Sequence, residues 1–318
     1  MISIISPVFE AEQTVFKLVQ GIVGACEKLN SEYEIILVED GSKDNSWKEI
    51  VNVCNKFNHV RGVKLSRNFG QHYAITCGIN QCSGDYIAIL DCDLQDNPLL
   101  LLDLFDKLQE GYDTVFTIRK NRKHNSFKKI TALFYNLMFS FFSNGEYRLN
   151  YGSLVMFRKK VADEFVKLKE YDRLYIQLLK WLGFRQTAIE VEHEARHAGS
   201  STYSIFALFY IAFQGLTSYS DKLLRLSIYT GFIAGIGSFI LTTFIITEYF
   251  LHGFLPGWPS VISAVLLSTG LILISIGIAG IYIGKLFVQS KERPLYIVEE
   301  ILIEKNTYAS LEKKGLNL

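Results

Sequence analysis

Neither sign of charge is in excess in this 318-residue chain: 33 Lys and Arg stand against 32 Asp and Glu, a formal net charge of +1. That balance gives no global field for nucleic acid, and no nucleic-acid partner is expected. Cysteine is sparse as well. The five cysteines (Cys26, Cys54, Cys77, Cys82 and Cys92) contain no C-x-x-C pair, and no His/Cys cluster has zinc spacing. An odd number of thiols fits a reduced, cytoplasm-facing domain. The start, Met1-Ile2-Ser3-Ile4-Ile5-Ser6-Pro7, lacks the basic flank and long apolar core of a signal peptide. It reads as a first strand. Internal repeats and low-complexity tracts are absent.

Apolar residues are plentiful, at 49% of the chain, and they gather after about residue 225. Leu226–Phe250 and Val261–Phe287 are each long enough to cross a bilayer core of ~30 Å, which takes about 20 residues. The linker between them has no Lys or Arg, whereas the outer flanks carry Lys222, Arg225, Lys285, Lys291 and Arg293. The positive-inside rule then puts both flanks in the cytoplasm. Residues 203–222 are apolar and aromatic but interrupted by Gln214 and several Ser and Thr. They suit a helix lying in the membrane interface. The expected division is a catalytic domain over 1–202, an interfacial helix over 203–222, a transmembrane hairpin over 223–289 and a cytoplasmic tail over 290–318.

Before the spans, strand and helix patterns alternate. Strands are predicted over Ile2–Val8, Glu34–Val38, Val60–Leu65 and Tyr86–Leu90. Helices are predicted over Thr14–Leu29, Ser46–Phe57 and Gln71–Gln81, with Asp44 or Ser46 capping the second. This order argues for an α/β fold with a parallel sheet covered on both faces. Further elements are a helix over Leu99–Gln109, strands over Tyr112–Ile118, Gly152–Phe157 and Thr187–Glu192, and a mostly helical stretch over Val161–Leu182.

The chemistry gathers at strand ends. Asp91-Cys92-Asp93-Leu94-Gln95-Asp96 follows the fourth strand directly. In open α/β sheets ligands sit beyond the carboxyl ends of the strands. Two carboxylates one residue apart can grip a hard divalent cation and leave it open positions for substrate phosphates. Gln95 could add a neutral oxygen. D-x-D alone also fits an acidic surface turn. Glu39-Asp40-Gly41-Ser42 ends the second strand, where a carboxylate can accept from the N–H of a nucleobase; a tight turn explains the same residues. Pro7-Val8-Phe9-Glu10 borders the same crevice. Arg67-Asn68-Phe69-Gly70-Gln71 precedes a helix and offers free N–H groups to a nucleotide, or is an ordinary loop. Basic residues from Arg119 to Lys129 adjoin an aromatic helical face and suit contact with an anionic lipid surface. His193 and His197 have no third ligand beside them and are not read as a metal pair.

Together these segments resemble the polyprenyl-phosphate glycosyltransferases of glycosyltransferase family 2, the group that includes dolichol-phosphate mannose synthases. The resemblance rests on Ser6–Glu10, Val38–Ser42, Asn68–Gln71, Asp91–Asp96, Arg196 with Gly199 and Ser201, and Arg293-Pro294-Leu295-Tyr296 after two spans. It implies a GT-A fold, a Rossmann-like nucleotide-sugar-binding domain, and inverting transfer of one sugar to an undecaprenyl-type phosphate at the inner membrane of a bacterium. It implies that Pro7, Phe9, Glu10 and Asp40 border base and ribose. Glu39, Asn68, Gly70 and Asn150 join the substrate contacts. Asp91, Asp93 and Gln95 would hold Mg²⁺ or Mn²⁺. Arg119, Arg122 and Lys128 would lie on the acceptor loop, and Arg196 and Ser201 would meet phosphates. A flippase and a second copy of the chain are possible partners.

Two positions depart from the family pattern: Asn150 stands where many relatives have Asp, and Thr202 where many have Lys. Two rival readings remain. Gln177-Leu178-Leu179-Lys180-Trp181 approaches the Q-x-x-R-W motif of processive polysaccharide synthases, although two spans are few for a polymer channel. A non-catalytic membrane scaffold would explain Asn150 and Thr202 but not the intact acidic cluster.

Overall fold

The first strand shows why the sheet forms. All seven residues of β1 (Ile2–Val8) are buried, as expected for a central parallel strand covered on both faces. The computed structural model describes residues 1–119, 151–191, 222–252, 257–303 and 307–309. These fall into two compact units.

The first unit is a sheet with helices. Strands β2 (Tyr33–Glu39), β3 (Val60–Leu65) and β4 (Tyr86–Ile89) follow helices α1 (Val15–Leu29), α2 (Ser46–Lys56) and α3 (Gln71–Gln81). Helix α1 buries Val15, Leu18, Val19, Ile22, Ala25 and Cys26, a spacing of three and four that makes one apolar stripe. It stops at Asn30, whose left-handed φ of 47° suits the C-terminal cap of a helix. After α4 (Leu100–Gln109) come β5 (Thr114–Arg119), β6 (Tyr151–Arg158), α5 (Lys159–Phe165), α6 (Tyr175–Trp181) and β7 (Gln186–Val191).

With β8 (Val298–Ile303) and β9 (Thr307–Ala309), nine strands among the described residues make one sheet, in the order β7-β5-β6-β4-β1-β2-β3-β8-β9. The parallel core 3-2-1-4 places a topological switch point between β1 and β4. There the β1–β4 ladder ends at Ile5↔Ile89 while the β1–β2 ladder continues to Val8↔Glu39. The two strands part, and a crevice opens at their carboxyl ends.

The four strands read as a parallel sheet are parallel, but the sheet as a whole is mixed: β6 runs antiparallel to both β4 and β5. The stretch expected to be mostly helical over 161–182 holds α5 and α6 with a loop between them. In that loop Arg173, only 4% exposed, sends its guanidinium to the Leu168 carbonyl at 2.6 Å and the Thr76 hydroxyl at 3.1 Å. One expectation is corrected: of the stretch expected as a tail, residues 298–303 and 307–309 are part of the sheet. Strand β8 (Val298–Ile303) pairs antiparallel with β3, and β9 (Thr307–Ala309) pairs with β8.

The second unit contains α7 (Lys222–His252) and α8 (Trp258–Gln289), which pack on one another. At 1.5 Å per residue each is about 47 Å long. Both are long and apolar enough to cross a membrane. Their outer faces expose Phe232, Phe239, Ile272 and Leu286. Hydroxyls on these helices turn inward to the backbone: Thr243 donates to the Phe239 carbonyl at 2.9 Å and Ser268 to Ala264 at 2.7 Å. Such internal satisfaction is what a segment without water requires.

Candidate active site

Two acidic strand ends define the crevice. Asp40, at the end of β2, is 2% exposed. Its two oxygens accept the backbone N–H groups of Phe69 at 2.7 Å and Gly70 at 2.8 Å. Burial raises its pKa above the ordinary carboxylate value, against the pull of those two amides. The next residue has to be glycine. Gly41 sits at φ +68°, and a Cβ there would overlap the backbone of Arg67 and Asn68. The β2 and β3 loops therefore touch backbone to backbone.

The β1 loop is tied in as well. Glu39, also buried, accepts from the Ser42 N–H, and the Ser42 hydroxyl accepts the Glu10 N–H at 3.0 Å. The sequence offered Asp44 or Ser46 as the cap of α2, but the N-cap position falls to Asn45, which makes no side-chain cap bond. The Asp44 carboxylate instead accepts the Ser46 N–H at 3.0 Å and the Ser46 hydroxyl at 2.6 Å. Pro7 is buried in β1, whereas Phe9 stands 46% exposed just beyond it. Arg67 lies over the Phe69 ring, 4.0 Å from its centroid. The crevice thus carries free aromatic surface beside a buried carboxylate.

The second acidic end is the Asp91–Asp96 turn. Leu94 takes a left-handed φ of 59°, a conformation that costs a residue with a Cβ roughly 1–2 kcal/mol. Asp93 accepts the Gln95 N–H at 3.1 Å. Gln95 and Asp96 are buried. Two neutral donors reach the turn from elsewhere: the Gln71 amide donates to Asp91 at 2.6 Å, and the Ser153 hydroxyl to Asp96 at 2.7 Å. Ser153 is fixed in turn by the Tyr175 hydroxyl, which donates to its carbonyl at 2.6 Å. Burial, and then the neighbouring Asp93, push the Asp91 carboxyl up to about 6. A divalent cation relieves that kind of crowding, so the donor set fits one. Among the described residues no group of three or more His, Cys, Asp or Glu side chains is placed to enclose a metal ion. A bound cation would keep positions open for phosphate oxygens and water.

The structure thus brings Pro7, Phe9, Glu10, Glu39, Asp40, Asn68, Gly70, Asp91, Asp93 and Gln95 to the carboxyl ends of adjacent strands. Arg119 is the last residue of β5, paired with Val191. Arg122, Lys128, Asn150, Arg196, Ser201 and the predicted interfacial helix lie outside the described residues. Sequence reasoning gave no role to Gln71, Asp96, Ser153 or Tyr175. Gln71 and Asp96 belong to the segments Asn68–Gln71 and Asp91–Asp96, and Ser153 lies three residues past Asn150, but their partners are far along the chain.

A 3-2-1-4 parallel core with acidic turns after β2 and β4 is the GT-A arrangement of glycosyltransferases. The chain belongs to glycosyltransferase family 2: the family model described as "Glycosyl transferase family 2" matches residues 3–166. It is a glycosyltransferase, in the family that its motifs resemble. An uncharacterized glycosyltransferase, YkcC of Bacillus subtilis, is 34% identical over 94% of this chain and 93% of its own length. The undecaprenyl-phosphate 4-deoxy-4-formamido-L-arabinose transferase of Proteus mirabilis is 31% identical over 95% of this chain and 94% of its own. Among solved structures, glucosyl-3-phosphoglycerate synthase from Mycobacterium tuberculosis aligns with a TM-score of 0.48 at 16% identity, over 69% of this chain and 78% of that one.

Proposed function

We propose that this glycosyltransferase moves one sugar from a nucleotide sugar, with uridine as the expected base, to a polyprenyl phosphate such as undecaprenyl phosphate. The reaction inverts the anomeric centre and uses Mg²⁺ or Mn²⁺. One observation carries the reading: a single chain joins a GT-A crevice to two helices long and apolar enough to cross a bilayer. A relative of matching length named for an undecaprenyl-phosphate acceptor supports the lipid half.

The residues divide the work as follows. Phe9, Glu10 and Asp40 border the base and ribose, with Asp40 held rigid by the Phe69 and Gly70 amides. Asp91 and Asp93, with Gln95, would hold the cation, whose positive charge stabilises the departing diphosphate. An acceptor phosphate oxygen forms the new bond to the anomeric carbon as the bond to the nucleoside diphosphate breaks. A phosphate monoester has its second pKa near 6. The attacking oxygen is therefore already anionic near pH 7, and the chain need supply no general base. This accommodates Asn150. Arg119, Arg122, Lys128, Arg196 and Ser201 are assigned to the acceptor and donor phosphates.

The setting is the inner membrane of a bacterium, with the N-terminal domain and the C-terminal segment in the cytoplasm and the chain crossing twice. Lys222, Arg225, Lys285, Lys291 and Arg293 on the outer flanks support that orientation. The lipid-linked product would then pass to a flippase. The test is a screen of nucleotide sugars with undecaprenyl phosphate and the detergent-purified full chain, read by mass spectrometry of the lipid. A lipid one sugar heavier supports the reading. A ladder of masses would point to a processive synthase, and no product with any donor would refute the assignment.

A further inference from the structure

The acidic turn raises a question about its own construction. Asp91, Asp93 and Asp96 lie within six residues, yet among the described residues no Lys or Arg is within ion-pair distance of any of them. Neutral donors approach instead. Gln71, the first residue of α3, spans twenty positions of sequence to place its amide 2.6 Å from Asp91. A cationic side chain there would cancel the carboxylate's charge and compete with a metal. An amide fixes one oxygen by a hydrogen bond and leaves the negative charge in place. Its helix is anchored at the same end, because the Gly70 N–H that precedes it is bound to Asp40.

We propose that Gln71 is a positioning residue for the cation: it orients Asp91 for coordination and keeps that carboxylate's charge available. The inference rests on the reading of Asp91 and Asp93 as metal ligands. Hydrogen bonds to ligating carboxylates are typically worth about tenfold or more in metal affinity. Gln71 is exposed apart from this bond, and Met has nearly the helix propensity of Gln. Gln71→Met therefore removes the donor at little cost to folding.

The test is Mn²⁺ binding to the full chain in detergent with UDP present, followed by the loss of the free-ion electron paramagnetic resonance signal. Thermal melting of each variant runs alongside. Wild type should bind Mn²⁺. Gln71→Met should bind about tenfold more weakly at an unchanged melting temperature. Gln71→Lys should bind none at a concentration that saturates wild type. Equal binding by wild type and Gln71→Met overturns the inference and leaves the metal reading standing. Full binding by Gln71→Lys also overturns it, because a cation beside Asp91 would then be harmless. Failure of wild type itself to bind Mn²⁺ removes the metal reading and this inference with it.

Discussion

Gly41→Ala is the most informative single change the structure offers. The added methyl meets two penalties. Its φ of +68° is strained for any residue with a Cβ, at roughly 1–2 kcal/mol. The methyl would also overlap backbone atoms of Arg67 and Asn68, which have no rotamer to escape through. The β3–α3 loop must move, and its Phe69 and Gly70 amides are the two donors to Asp40. A hydrogen bond to a charged acceptor is worth about 1.5–3 kcal/mol. Losing even one gives a total near 3 kcal/mol, with Asp40 still buried. For a unit of this size about 3 kcal/mol lowers the melting temperature by roughly 6–12 °C. Donor affinity should fall with it, since the proposed function puts the nucleotide beside the same loop. Gly24→Ala is the matched control. It lies inside α1 with nothing within 4 Å of an added Cβ. It should stabilise by roughly 0.5–1 kcal/mol, as helical Gly→Ala changes do. The assay is thermal melting of the full chain in detergent, paired with isothermal titration of a uridine nucleotide sugar. If Gly41→Ala melts and binds like Gly24→Ala, the backbone contact between the two loops is not as described.

Three further outcomes are expected. Asp93→Ala should lower turnover by about 10²–10³-fold, the scale for losing a main electrostatic stabiliser; EDTA should abolish wild-type turnover, and added Mn²⁺ or Mg²⁺ should restore it. Glu34→Ala should destabilise by about 3 kcal/mol without changing the donor KM, read by melting and steady-state rates. Its part-buried carboxylate accepts from Ser3 at 2.5 Å, the Ser83 N–H at 2.6 Å and Arg61, far from the crevice. Burial, and secondarily Arg173, depress the His72 pKa to about 4, so the folded state holds it neutral. The unfolded chain binds that proton first. Stability should therefore be intact above about pH 7 and fall as pH drops from about 6.5 towards 4, by at most about 3 kcal/mol. A His72→Leu variant should lose that part of the slope in melts taken across the window.

The core strands were legible because short runs rich in Ile, Val and Leu end at turn residues; β1, buried throughout, and β3, where half-buried Arg61 and Lys64 interrupt the apolar residues, both appear where the pattern puts them. Strand direction was not legible. Nothing in Tyr151–Arg158 itself says that it runs against β4, since polarity is set by the path of the chain. Strand β8 was hidden because Glu299 and Glu300 interrupt its apolar run and its partner lies over two hundred residues earlier. The position of the loop between α5 and α6 was not legible either, because the partner of the buried Arg173 there, Thr76, lies 97 residues earlier. The site divided the same way. Carboxylates at strand ends could be read locally. The donors that hold them, Gln71 and Ser153, could not, because hydrogen bonds across 20 and 57 residues leave no spacing signal.

The pairing of β3 with β8 also sets an order of events for a ribosome. Residues 298–303 are translated only after both long apolar helices have been made. Until then β3 presents an open edge of unpaired N–H and C=O groups, the kind of edge that recruits stray strands. The nascent sheet must wait, half-finished, while both helices are made. A chain stalled or cleaved between the helices and Val298 would keep its whole acidic crevice in sequence and still expose that edge. Quality control that senses open sheet edges would therefore see a chain cut short before Val298 as a defect of the sheet, even though every strand that carries the crevice is present.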